Sequence, residues 1–183
     1  MRRTLQHPAR LVPLAFLLAI IVGTVLLMLP VSRAGEDSPT LLVALFTATS
    51  AICVTGLIVV DTPVYWSTFG QVVILVLIHI GGFGIMSGAT LLGLLVARRL
   101  RLKMRLVVQA ETRSLGPGDI LQVLKLILAM SLCVELVTTA VLALRLHYTY
   151  QEPWNDALWN GLFHAVSAFN NAGFSTYSDG LVG

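Results

Sequence analysis

Leu45-Phe46-Thr47-Ala48-Thr49-Ser50-Ala51-Ile52-Cys53-Val54-Thr55-Gly56 returns 117 positions later as Leu162-Phe163-His164-Ala165-Val166-Ser167-Ala168-Phe169-Asn170-Asn171-Ala172-Gly173. Leu, Phe, Ala, Ser, Ala and Gly coincide in register. Each copy is apolar, too short to cross a bilayer, ends at a glycine, and follows a segment long enough to cross. The repeat predicts an all-α integral membrane chain in which a re-entrant helix and pore loop are built twice.

Composition agrees. Of 183 residues, 56% are hydrophobic and 11% charged, and the mean hydropathy is +0.85, outside the range of soluble domains. In lipid the backbone must be satisfied internally, so the length is used up by helices and leaves no soluble domain of useful size. The net charge of +3 matters by position, since Lys and Arg near membrane ends set orientation, and it does not imply nucleic acid. Cys53 and Cys133 have no His or Cys partner at metal-ligand spacing; Cys133 reads as a small apolar helix residue.

Outward from the first copy, residues 11–30 form a 20-residue apolar run, about 30 Å as a helix and long enough to span. The rival is a cleaved signal peptide ending near Ser32-Arg33-Ala34, but the run exceeds a signal core. Ser38-Pro39 reads as an N-cap followed by proline at the first helical position. The 13 apolar residues 40–52 have the length of a re-entrant segment, returning through Cys53-Val54-Thr55-Gly56-Leu57 to Asp61-Thr62-Pro63 on the starting side. Non-helical backbone at that depth must be buried in protein or line a water-filled path.

Residues 66–97 carry no formal charge and would measure about 48 Å as one helix, so this segment must tilt, bend or project. Gly81-Gly82-Phe83-Gly84 near its middle reads first as a surface for close helix approach, and alternatively as a pore-shaping bend. His79 reads as a hydrogen-bonded packing residue in preference to a proton relay. Arg98-Arg99-Leu100-Arg101-Leu102-Lys103-Met104-Arg105 then marks the cytoplasmic side. With Arg2, Arg3, Arg10 and Arg113, nine of twelve basic residues fall there, while Glu36, Asp37, Glu152 and Asp156 fall outside, which gives a multi-pass chain with its N-terminus in the cytoplasm. The run also suits an acidic lipid or a cytosolic partner.

After Gly116-Pro117-Gly118, residues 119–148 form the next span. Lys125 and Arg145 lie near its ends and can snorkel. Glu135 lies too deep for that, and reads as hydrogen-bonded to another helix in preference to binding an ion. Glu152-Pro153 opens the second short helix, 154–170, with Tyr148, Trp154 and Trp159 as interfacial aromatics. The sequence therefore divides into a first helix, loop, helix unit (1–97), a basic loop (98–118) and a second unit (119–183) without its closing helix. A helix C-terminus carries partial negative charge, and exposed carbonyls can replace the water of a dehydrated cation. These features favour a cation pore; broken packing helices in a transporter or a non-conducting assembly subunit remain the alternative.

Three stretches also carry a resemblance: Ser50-Ala51-Ile52-Cys53-Val54-Thr55-Gly56-Leu57 with Val60-Asp61-Thr62, then Ile80-Gly81-Gly82-Phe83-Gly84-Ile85-Met86, then Phe163 through Phe174. In order and spacing they resemble the membrane subunit of the Trk/Ktr/HKT potassium uptake family, over essentially the whole chain. In that family four helix, pore-loop, helix units surround one potassium path, each giving one filter glycine. The resemblance places filter residues at Cys53, Val54, Thr55, Gly56, Asn171, Ala172, Gly173 and Phe174, with potassium held by backbone carbonyls of Thr55, Gly56, Ala172 and Gly173. Glycine in place of serine at position 56 implies preference for potassium over sodium. It further implies the plasma membrane, a homodimer and a cytosolic nucleotide-binding regulatory subunit, which the loop from Arg98 to Arg113 would help contact, and no cofactor in this chain.

Two features depart from the family. The third and fourth units would lie beyond Gly183, so the chain is expected to be part of a longer transporter or a subunit that assembles with others. His79 stands where a neutral polar residue such as glutamine is expected. An enzyme is the weakest reading: Ser87 with His79 or His164 suggests an intramembrane serine protease, but Gly84-Ile85-Met86-Ser87-Gly88 lacks a glycine two residues before the serine. No nucleotide-binding glycine pattern is present, so nucleotide control would need a partner.

Overall fold

The computed structural model describes residues 8–36, 38–105 and 117–178. Arg2, Arg3, Asp37 and Arg113 lie outside them, as do the side chains of Arg10 and of the basic run 98–105. In chain order the helices are α1 (Pro8–Leu27), a 3-10 turn (Pro30–Ser32), α2 (Leu41–Ile52), the one-turn α3 (Thr62–Tyr65), α4 (Thr68–Arg105), α5 (Pro117–Tyr150) and α6 (Trp154–Phe169). Thr68–Gly88 and Gln122–Tyr150 are long and apolar enough to cross a membrane.

Two short helices are each gripped by long ones: α2 packs against α1 and α4, and α6 against α5 and α4. α4 thus serves both. The start of α2 differs from the sequence expectation. Its N-cap is Thr40, not Ser38, and the Thr40 hydroxyl accepts the Val43 N–H at 3.4 Å. The residue before a proline is biased to extended backbone, so the helix begins only after Pro39. α6 starts as expected, with Pro153 in the N-cap position.

The polar face of α5 turns inward. Ser131, Glu135, Thr139 and Ala143, spaced four apart and so on one face, are buried, whereas Leu126, Met130, Val134, Val137, Val141 and Leu144 are exposed. A water-soluble helix would do the reverse; an apolar outer face is what lipid requires. Lys125 and Arg145 are exposed near the two ends. Gly161 of α6 lets its backbone approach α5, since an added methyl would sit 3.0 Å from the Ala143 nitrogen.

Gly81 and Gly82 sit inside the continuous helix α4, and their contacts support the close-approach reading. A methyl on Gly81 would overlap the Ile52 carbonyl at the end of α2, and one on Gly82 would overlap the side chain of Asn170 at the end of α6. α1 is built into the same core, with Leu27 fully buried and Gly23 against the Leu77 side chain.

Both short helices begin and end their excursions at one place. The chain leaves the 3-10 turn and returns to pair with it: Ala34 N–H donates to the Tyr65 carbonyl at 3.0 Å and Ser67 N–H to the Ser32 carbonyl at 2.9 Å. In the second unit the returning Tyr177 hydroxyl donates to Glu152 at 2.7 Å, and Thr176 donates to the Asn160 side-chain oxygen at 2.9 Å. Burial first, and then the Glu152 carboxylate, push the Tyr177 hydroxyl up from its ordinary pKa, so this tie is held by a neutral phenol.

Candidate functional site

The two loops after α2 and α6 are the same structure. Val54 and Asn171 take left-handed backbone (φ +54° and +56°), and Gly56 and Gly173 both have φ +74°. Thr55 N–H donates to the Ser50 carbonyl (2.9 Å) and Val54 N–H to Ala51 (3.2 Å); Ala172 N–H donates to Ser167 (2.7 Å) and Asn171 N–H to Ala168 (3.0 Å). These paired bonds, six residues to one and five to two, are a Schellman helix stop. The helices therefore end at Cys53 and Asn170, as the bounds 40–52 and 154–170 anticipate, three residues before each glycine. The left-handed position suits Asn171; a β-branched Val54 there is an outlier held by its surroundings.

A second pair of bonds fixes the return. Ser50 Oγ donates to the Leu57 carbonyl at 2.8 Å and Ser167 Oγ to the Phe174 carbonyl at 2.7 Å. Sequence reasoning assigned these serines no role, although their identity in both copies was the available signal. The structural pairing also matches Cys53 with Asn170 and Leu57 with Phe174, so Asn170 and Leu57 belong beside the eight residues singled out. Phe174, 3% exposed, anchors the second loop in the core.

The loops meet. A methyl on Gly56 would overlap the Ala172 carbonyl oxygen and lie 3.1 Å from the Gly173 Cα, and one on Gly173 would lie 3.4 Å from the Gly56 Cα. A side chain at position 56 would press on the second loop's backbone, so glycine suits the position by contact as well as by φ. Among the described residues, none of the carbonyl oxygens of 53–56 or 170–173 accepts a hydrogen bond. Of these eight residues only Asn170 and Ala172 are buried, so most of the carbonyls are open, and in two touching loops they form an oxygen-rich surface able to hold a cation or water. A cleft of about 510 Å³ beside the second loop is lined by His164, Ser167, Ala168, Asn171, Gly173, Phe174 and Ser175.

Other sequence-marked residues fall around this centre. Trp159, expected at an interface, is half-buried and donates its indole N–H to Gln71 of α4 at 2.9 Å. Glu135 is 3% exposed and is hydrogen-bonded across helices, by Asn170 Nδ2 at 3.2 Å; His79 Nδ1 lies 3.4 Å from its other oxygen. Ser87 offers no catalytic arrangement: its hydroxyl is buried without a hydrogen-bond partner among the described residues, and His79 and His164 are engaged elsewhere.

Comparison with known proteins matches residues 5–183 to the family described as "TrkH: Cation transport protein". The chain is 42% identical over 175 residues to the Ktr system potassium uptake protein B of Bacillus subtilis, covering 96% of this chain and 38% of that protein. It is 35% identical over 176 residues to the potassium/sodium uptake protein NtpJ of Enterococcus hirae, covering 96% and 38%. A Ktr system potassium uptake protein B from Vibrio alginolyticus is 35% identical over 173 residues, covering 94% and 37%. The chain thus spans a little over a third of the length of these relatives. A match across nearly its whole length, to a description that fits two touching carbonyl-rich loops, establishes that this chain belongs to the TrkH cation transport family.

Proposed function

We propose that the chain supplies two adjacent re-entrant helix and loop units of a potassium uptake pathway in the plasma membrane. The observation that carries this reading is the pair of loops 53–57 and 170–174, alike in backbone, in contact at their glycines, and presenting at 53–56 and 170–173 carbonyls that accept no hydrogen bond among the described residues. A potassium ion entering a narrow path loses water and needs oxygen ligands; the carbonyls of Thr55, Gly56, Ala172 and Gly173 take that part. The C-terminal ends of α2 and α6 lead directly into the loops, and their partial negative charge favours a cation there. Oxygens from two loops cover only part of an ion's surroundings, so the path is completed by further loops, from a longer chain or from other subunits.

Potassium as cargo is supported by the names of the Bacillus and Vibrio relatives and by glycine at position 56. The Enterococcus relative carries sodium in its name as well, which makes the ratio of the two ions the informative measurement. Relatives named as part of a Ktr system support work with a partner, for which a second copy and a cytosolic nucleotide-binding subunit are the candidates. The helical basic run to Arg105 suits a cytoplasmic contact, with the N-terminus on the same side.

The test is Gly56→Ser, expressed as the full gene product in bacteria lacking their own potassium uptake. A fall of about tenfold in the potassium to sodium uptake ratio, equivalent to ~1.4 kcal/mol, is expected. An unchanged ratio would overturn the assignment of Gly56 to the filter.

A further inference from the structure

The second loop has a support that the first lacks. Four features that the fold places side by side come from three helices: His79 and Gly82 on α4, Glu135 on α5, and Asn170 at the end of α6. We infer that His79 and Glu135 are positioning residues for ion selection: through Asn170 they hold the second loop where its carbonyls discriminate between potassium and sodium. This inference rests on the filter reading above.

A carboxylate 3% exposed in the middle of an apolar helix needs partners, and Glu135 has three. Oε1 accepts from Asn170 Nδ2 at 3.2 Å and from Ser131 Oγ at 3.3 Å; Oε2 faces His79 Nδ1 at 3.4 Å. Asn170 Nδ2 also donates to the Val166 carbonyl at 2.9 Å, while its side-chain oxygen fills the space that a methyl on Gly82 would occupy. The asparagine therefore touches all three helices. The next residue, Asn171, is the left-handed one that begins the loop.

At the equivalent place in the first unit stands Cys53, which is exposed. There Gly81 of α4 lies against the backbone of Ile52 at the end of α2, and the buried neighbours Ile52, Ile74 and Ile78 are apolar. Packing thus sets the first loop, and a polar bridge sets the second. The bridge is a network in which each member orients the next, so deleting one member affects the others. Selection between two alkali cations depends on how carbonyl oxygens are held and how many reach the ion, and a loosened Asn170 transmits directly to them.

His79 is the member to alter first, because it is 28% exposed whereas Glu135 is buried. In the full gene product, His79→Leu is expected to reach the membrane in normal amount and to lower the potassium to sodium uptake ratio by about fivefold, the size of a ~1 kcal/mol coupling. His79→Gln, whose amide N–H can still meet the carboxylate, should restore the ratio to within about twofold of wild type. His79→Leu combined with Asn170→Ala should be no worse than the more severe single change. A purely structural role would change the amount of protein or the maximal rate and leave the ratio alone. Retention of the wild-type ratio by His79→Leu, in a background where Gly56→Ser lowers it, overturns this inference and spares the filter. If Gly56→Ser also leaves the ratio unchanged, the filter reading falls and takes the inference with it. Should His79→Leu fail to reach the membrane, Asn170→Ala alone is read by the same criteria.

Discussion

Replacing Gly81 by alanine tests whether α4 positions the first loop by contact. On helix propensity alone, the change should stabilise α4 by about 0.5–1 kcal/mol. The added methyl, however, would lie 2.8 Å from the Ile52 carbonyl carbon and 3.1 Å from its Cα, and closer still to the carbonyl oxygen. Carbon atoms rest at about 3.5–4.0 Å from one another, so the last turn of α2 must retreat by roughly 0.5–1 Å. The obstacle is backbone and cannot swing aside as a side chain would. Overpacking of this kind costs about 1–3 kcal/mol, which leaves a net destabilisation of ~0–2 kcal/mol after the propensity gain. The expected fall in melting midpoint in detergent is therefore a few degrees at most. The effect on transport should be larger, because the displaced residue is the one before Cys53 and sites of this kind work within about 0.5 Å. Gly88→Ala is the control, since nothing lies within 4 Å of its added methyl: its melting point should equal or exceed wild type, with transport unchanged. Potassium uptake against sodium competition is the assay, and Gly81→Ala should lower the ratio several-fold. A Gly81→Ala protein that keeps the wild-type ratio would refute the argument that contact with α4 sets the loop.

Two further outcomes are expected. Asn171→Val places a β-branched residue at φ +56° and should lower stability by about 1–2 kcal/mol, read as a lower melting midpoint, while transport persists because Val54 already occupies the matching position; complete loss of transport would contradict the equivalence of the two loops. Ser167→Ala leaves the Phe174 carbonyl unpaired in a buried site and should cost about 1–3 kcal/mol. Ser50→Ala should cost less by the same measurement, because Leu57 is exposed and its carbonyl can find water; equal effects would contradict that ordering.

Much of this arrangement was legible in the residues. The 117-residue repeat places the two loops in equivalent settings, and the match at Ser50 and Ser167, though given no role, marks the two straps. The apolar length of residues 40–52 brackets α2, and Pro153 announces α6. The ends of the two short helices fall where the bounds 40–52 and 154–170 put them, whereas the hydrogen bonds back to Ser50 and Ala51 that make the stop at Cys53 have no signature in the residues. A valine in left-handed backbone gives no local signal, because propensity argues against it.

The sequence by itself determined the class of the molecule, the order of its five longer helices and the existence of two like loops, but not the 3-10 turn or the one-turn α3, because composition and apolar run length mark long segments and leave single turns unmarked. Only tertiary structure decided what those loops touch. Trp159 reaches Gln71 across 88 positions and Asn170 reaches Glu135 across 35, and no local pattern encodes such distances. His79, Gly82 and Glu135 each look like isolated exceptions along the chain. Their common purpose appears only when α4 and α5 bring them to the end of α6, where a buried carboxylate must find its partners within reach of a hydrogen bond.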